Sequence, residues 1–326
     1  MSGVLVIAEL VRDVPARLSL ELLGLARQIV AQTGGSVSAL VFGCDQTASA
    51  ALIARGADKV FVVDDPRAAD YNSDTWTACA AHAADQSAPA VVLSGHTTKG
   101  MDLAPRLAFR LNSAAAMGCV SVTWEDGEMR FTRPCYGGSA RETVSIRTAP
   151  AVATVRSGCY DAAPADAMRR GEIVTLGVDS QASRLRVVER RPEAGDKVRL
   201  EDARVVVAGG RGLNGPDGFA VLGELAQVLG GVVGASRVPC DLGWCPHSMQ
   251  IGLTGKTITP DLYIAVGISG ASHHMAGCGG ARIIVAINTD PDAAIFRDAR
   301  FGVIGDFRKV VPALAAEVRK GATDGR

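Results

Sequence analysis

The stretch Leu262-Tyr-Ile-Ala-Val-Gly-Ile-Ser-Gly-Ala-Ser-His-His-Met-Ala-Gly277 constrains this chain more than any other. It reads as a buried strand that stops at Gly267, a Gly/Ser turn, and a helix start carrying His273 and His274. Small residues at a strand end bring backbone N–H groups and a helix N-terminus close to a ligand. That arrangement suits an anion or a cofactor phosphate. The histidines follow at once, near the ligand's remaining groups. The C-terminal third therefore reads as a nucleotide-cofactor domain.

The rest of the chain supplies the layers such a site needs. Apolar runs at Val4–Ala8, Val37–Val41, Lys59–Val63 and Ala90–Leu93 alternate with helical spacing at Ser19–Gln32, Ala48–Arg55 and Trp76–Gln86. Strand and helix in alternation predict a parallel sheet with crossover helices. Between Val120 and Thr154 short strands dominate, at Met129–Arg133, Glu142–Thr148 and Ala151–Arg156, as in an antiparallel extension of that sheet. Leu185–Val188 leads into the polar stretch Glu189–Lys197, with its Pro and Gly, which marks a domain boundary. A fresh unit follows. Strands are expected at Arg204–Ala208, Gly231–Ala235, Leu262–Val266, Arg282–Asn288 and Phe301–Ile304, with helices at Phe219–Leu229 and Val310–Arg319. The expectation is an α/β protein of two domains, 1–190 and 191–326, each a mainly parallel sheet flanked by helices.

Totals exclude several classes of function. Lys+Arg and Asp+Glu both number 34, which gives no charge signal for nucleic acid or an anionic membrane. Eight cysteines without paired spacing predict reduced thiols in a cytosolic protein rather than a disulfide framework. The first residues carry no basic segment ahead of an apolar core, so no signal peptide is expected, and no apolar run reaches transmembrane length.

Four motifs bear on chemistry. Gly210-Arg-Gly-Leu-Asn-Gly215 spells G-x-G-x-x-G between a strand and a helix. It fits a dinucleotide fingerprint, or a cofactor-proximal loop in which Arg211 supplies charge. A dinucleotide site also wants an acid at the end of the next strand, and that strand ends in Gly234-Ala-Ser-Arg237. Ser236 and Arg237 sit where open α/β sheets bind ligands, at a strand's carboxyl end. Gln250-Ile-Gly-Leu-Thr-Gly-Lys-Thr257 resembles half a P-loop, but a P-loop needs Gly where Gln250 stands. Its glycines suit a backbone lying against a flat ligand. Cys240, Cys245, His247 and Cys278 lack the spacing of a structural zinc site.

Taken together, these residues resemble the alpha-subunit family of electron transfer flavoprotein. The likeness rests on Gly209-Gly-Arg-Gly-Leu213, Val233-Gly-Ala-Ser-Arg237, Met249-Gln-Ile-Gly-Leu-Thr-Gly-Lys256, Leu262-Tyr-Ile-Ala-Val-Gly-Ile-Ser-Gly270, His274-x-Ala-Gly277 and Ala286-Ile-Asn-x-Asp-Pro291, in that order. The resemblance implies a heterodimer with a beta subunit that this chain meets through its N-terminal domain. It implies one FAD, held mainly by a Rossmann- or flavodoxin-like C-terminal domain, and AMP or a second FAD in the partner. It implies an electron carrier without a substrate of its own, fed by flavin dehydrogenases and drained by a membrane-associated quinone oxidoreductase or another acceptor. By the same resemblance Arg211, Ser236, Arg237, Gln250, Ile251, Gly252, Leu253, Thr254, Ser269, Gly270, Ala271, Ser272, His273, His274, Asn288, Asp306 and Phe307 would contact FAD. Arg237 would lie against the flavin ring, Thr254 near its N5 and His274 near its pyrimidine end, where reduction places negative charge. Two positions depart from the family. Leu253 and His273 stand where Gln is usual, and His273 adds a titratable group there.

Overall fold

A computed structural model describes residues 3–43, 46–138, 140–178, 183, 188–189 and 199–324. The chain divides into two compact units, Met1–Pro192 and Glu193–Arg326. The boundary expected at 190/191 lies outside the described residues.

In the first unit seven strands lie in the order Glu172–Thr175, Lys59–Val63, Val37–Phe42, Val4–Ile7, Val91–Gly95, Ala151–Val155 and Ala115–Cys119. Every pairing is parallel. Successive side chains of a strand point to opposite faces. Val4 and Val6 therefore pack on Leu22, Leu25 and Ile29 of the helix Arg17–Thr33. Leu5 and Ile7 pack on Trp76 and Ala80 of Ser73–Ser87 and on Leu103 and Leu107 of Thr98–Arg110. Each such leucine or isoleucine contributes about 1.5–3 kcal/mol by burial, and covering both faces explains the near-continuous apolar runs.

The antiparallel extension expected between Val120 and Thr154 is corrected on two counts. Ser121–Glu125, Glu128–Cys135 and Ala140–Ser145 form a separate three-stranded antiparallel sheet. Ala151–Val155, buried at all five positions, is instead a parallel strand inside the main sheet. The helix Thr98–Arg110 carries the chain past the place this strand later fills.

The second unit is a five-stranded parallel sheet in the order Val232–Ala235, Val205–Gly209, Leu262–Val266, Ile283–Asn288, Phe301–Ile304. Counted within the unit this is 2-1-3-4-5, a doubly wound order. Val207, Ile264, Val266 and Ile287 face the helices Gly218–Val228 and Phe307–Asp324. Val206, Tyr263, Ala265 and Ala286 face the opposite core. The strand order reverses between Val205–Gly209 and Leu262–Val266. Their outgoing connections leave toward opposite sides, which opens a crevice at the carboxyl ends. Among the described residues no helix is long and apolar enough to cross a membrane.

Candidate cofactor site

A cavity of ≈ 640 Å³ occupies that crevice. Its floor is two interlocked loops. Gly210 N donates to the Val266 carbonyl at 2.9 Å and Gly212 N to the Gly267 carbonyl at 3.0 Å. A Cβ on Gly210 would sit 2.2 Å from the Gly267 oxygen, so only glycine closes this contact. The Gly-rich loop is thus spent on packing against the neighbouring loop. It continues as a single 3-10 turn, Arg211–Leu213, before the helix begins at Gly218.

One wall is the segment 250–256. It is fastened to the end of the Val232–Ala235 strand, with Ile251 N donating to the Ala235 carbonyl at 2.8 Å. Leu253 N donates to the His273 carbonyl at 2.7 Å, which ties the wall to the helix Ser272–Cys278. The Leu253 side chain is 57% exposed and His273 is exposed. Leu253 and His273 thus meet through main-chain atoms.

His274 is buried beneath this wall. Its Nδ1 lies 3.1 Å from the Ile251 carbonyl oxygen and its Nε2 2.7 Å from the Tyr263 hydroxyl. A carbonyl only accepts, so Nδ1 carries the proton. Burial pushes the His274 pKa below the usual histidine range, and the Ile251 carbonyl only partly offsets this. The ring is therefore neutral, and Nε2 accepts from Tyr263 O–H. His274 thus presents a neutral ring whose two nitrogens are both bonded to the protein.

Charge comes from arginine. Arg237 Nε pairs with Asp241 at 3.1 Å, and the Arg237 side chain remains 67% exposed. Arg211 makes no ion pair among the described residues. Gln250 Nε2 donates to Thr254 Oγ1 at 3.1 Å, so the Thr254 O–H is left to donate elsewhere. Asn288 Nδ2 donates to the Ile268 carbonyl at 2.9 Å, and its Oδ1 accepts from Asp290 N at 3.1 Å.

The family model described as Electron transfer flavoprotein domain matches residues 4–181, and that described as Electron transfer flavoprotein FAD-binding domain matches residues 199–279. The chain is 42% identical over 307 residues to an electron transfer flavoprotein subunit alpha of Thermoanaerobacterium thermosaccharolyticum, covering 93% of each chain. The chain belongs to the electron transfer flavoprotein alpha-subunit family. The Bacillus subtilis electron transfer flavoprotein subunit alpha is 41% identical over 90% of this chain and 91% of its own. Protein FixB of Clostridium saccharobutylicum is 37% identical over 98% of this chain and 96% of its own.

Of the residues expected to contact a cofactor in this electron transfer flavoprotein alpha chain, most line the one cavity. They are Arg211, Ser236, Arg237, Gln250, Ile251, Gly252, Leu253, Thr254, Ser269, Ala271, His273, His274 and Asn288. Gly270, Ser272, Asp306 and Phe307 do not. Gly270 turns the chain against Ile295, whose N would lie 2.3 Å from a Cβ there. Ser272 opens the short helix. Asp306 Oδ1 accepts from Arg308 N at 2.9 Å, and Phe307 is buried in the helix-side core; both begin the last helix, two strands from the switch point. Asn214, Val238, Asp290 and Ala293 line the cavity without having been expected. Asn214, in the left-handed region at φ 56, ends the Gly-rich turn, and Asp290 lies inside the quoted Asn-x-Asp stretch.

Proposed function

We propose that this chain is the alpha subunit of a heterodimeric electron carrier and holds FAD in the cavity of its second unit. The carrying observation is the make-up of that cavity at the switch point of a doubly wound sheet. Its ≈ 640 Å³ falls within the roughly 300–1,000 Å³ of small-molecule sites. FAD demands cationic groups for a pyrophosphate, hydrogen bonds for a polyol and a ring edge, and an apolar surface for a flat ring. Arg211 meets the first demand, and Arg237 adds a cation beside the ring. Ser236, Ser269, Thr254 and Asn214 meet the second. Ile251, Leu253 and Val238 meet the third.

FAD supplies the redox chemistry when bound; the chain supplies binding, orientation and charge. Arg237 places a guanidinium where it favours negative charge on the ligand. The Gln250 amide fixes the Thr254 hydroxyl so that its proton is offered to the cavity. Neutral His274, held by Tyr263 and Ile251, excludes water from the wall. The chain transforms no substrate of its own. Its first unit meets a beta subunit that carries AMP or a second FAD. Flavin dehydrogenases donate electrons and a membrane-associated quinone oxidoreductase, or another acceptor, receives them in the cytoplasm. An NAD-dependent oxidoreductase is disfavoured because the Val232–Ala235 strand ends in Ser236 and Arg237, where the ribose of that cofactor requires an acid.

The test is absorbance of the co-expressed heterodimer with flavin quantified per alpha chain. At least one FAD per alpha chain is expected, lost when residues 193–326 are deleted. A colourless, nucleotide-free heterodimer would overturn the reading.

A further inference from the structure

We propose that Cys240 and Cys245 form a modification site, a dithiol that a hydroperoxide converts to a disulfide at the rim of the cavity. The inference does not depend on bound FAD. The two Sγ atoms lie 3.5 Å apart. The described residues contain no second pair of cysteines hydrogen-bonded sulfur to sulfur, and all seven described cysteines are free thiols. Cys240, 3% exposed, sits on the helical turn Arg237–Asp241, and Cys245 is half-buried just beyond it.

The chain reverses between them. Gly243, at φ 72, donates to the Cys240 carbonyl at 2.9 Å, and Trp244 N donates to the Pro239 carbonyl at 2.9 Å. This turn aims the two side chains at each other. A disulfide requires an S–S separation of about 2.05 Å, so closure draws the two sulfurs together from 3.5 Å.

Cys245 is the more exposed thiol and reacts first. Its sulfur attacks a peroxide oxygen, the O–O bond breaks, and a sulfenic acid forms with release of water or alcohol. The Cys240 sulfur then attacks the Cys245 sulfur. The S–O bond breaks, the S–S bond forms, and a water leaves with the Cys240 proton. Two thiols give up two electrons and two protons, and the hydroperoxide is reduced. The thiolate is the reactive form. Burial raises both thiols, Cys245 to about 12. The pair is therefore slow at neutral pH, and its oxidation accelerates by up to about tenfold per pH unit.

The site is coupled to the cavity by the shortest route the chain allows. Arg237 and Val238 line the cavity, and Cys240 follows on the same helical turn. Drawing Cys240 toward Cys245 displaces the turn that carries the Arg237 guanidinium.

The experiment exposes the purified full-length complex to hydrogen peroxide at pH 7.5 and 9, then alkylates free thiols under denaturing conditions for peptide mass mapping. The expected product is a peptide spanning Cys240 and Cys245 that takes no alkyl group and is two hydrogens lighter. It should form faster at the higher pH and revert with a phosphine reductant. Cys245→Ser should abolish it while leaving Cys240 alkylatable or oxidised alone. A circular dichroism spectrum of Cys245→Ser matching wild type excludes misfolding as the cause. Full alkylation of both residues while the peroxide is consumed at other cysteines would overturn the proposal. So would pairing of Cys240 with any other cysteine.

Discussion

The Tyr263 hydroxyl and His274 Nε2 are joined by a 2.7 Å hydrogen bond in the core of the second unit, and Tyr263 is fully buried. Burial keeps the ring neutral, and the bond lets that neutral imidazole satisfy both nitrogens. Removing the hydroxyl strands Nε2 in a dry environment. Tyr263→Phe should therefore cost about 1–3 kcal/mol and lower the melting temperature by several degrees. A melting curve superposable on wild type would show that Nε2 has another partner.

Arg237 and Asp241 share a charge at the cavity rim, which sets the size of the next effect. A unit charge 4 Å from a ligand is worth about 1 kcal/mol in water and about 4 kcal/mol at an effective dielectric of 20. The guanidinium is 67% exposed and partly neutralised by Asp241, so the lower figure applies. Arg237→Ala should lower the flavin midpoint potential, and Asp241→Asn should raise it. Redox titration of both variants reads the two signs. Shifts in the same direction would remove the arginine charge as the cause.

Gly210 tests the floor of the cavity. Its missing Cβ would lie 2.2 Å from the Gly267 oxygen and 2.7 Å from the Gly267 carbon, backbone against backbone. Gly210→Ala must push the two loops apart at a cost of at least about 1–3 kcal/mol. The expected outcome is a lower melting temperature together with loss of flavin per chain. Retention of both would mean that the loops separate freely.

His96 makes a pH prediction for the first unit. Burial, with Arg156 nearby, pushes its pKa down to about 4, and Nδ1 lies 2.8 Å from Thr154 Oγ1. The unfolded chain binds this proton near pH 6.5 while the folded chain still refuses it. Stability from His96 is therefore complete above about pH 6.5 and is lost as pH falls toward about 4, by up to about 3 kcal/mol. His274 acts in the same direction. In urea unfolding at pH 7 and pH 5, His96→Asn should lose less stability on acidification than wild type. Equal losses would show that His96 is protonated in the fold.

The second unit's strands, and Val4–Ile7, Val37–Phe42, Lys59–Val63 and Val91–Gly95 of the first, were legible as short apolar runs closed by turn residues; Ala115–Cys119 and the mostly exposed Glu172–Thr175 were not expected, and Ala151–Val155 was assigned to the wrong sheet. The switch-point site was legible because strand ends and loop ends coincide at Gly209, Ala235 and Gly267. The helix Thr98–Arg110 was missed although Gly100, Leu103, Ala104, Leu107 and Ala108 fall on one buried face, the spacing of an amphipathic helix. Pro105 and the small residues on that face hid it. The neutral state of His274 was not legible. It depends on burial, which the local sequence does not display; its nitrogens are satisfied by Tyr263, eleven residues away, and by a carbonyl from a loop bound to another strand. Asp306 and Phe307 follow the edge strand Phe301–Ile304 and fall outside the cavity lining, whereas Asn288, after the neighbouring strand, falls within it.

Leu253 and His273 hold each other by an amide and a carbonyl, so the shape of the wall is specified without reference to either side chain. Scaffold and tuning are thereby separable. Side chains at these two positions can be exchanged without breaking the bond that fastens the wall to the helix.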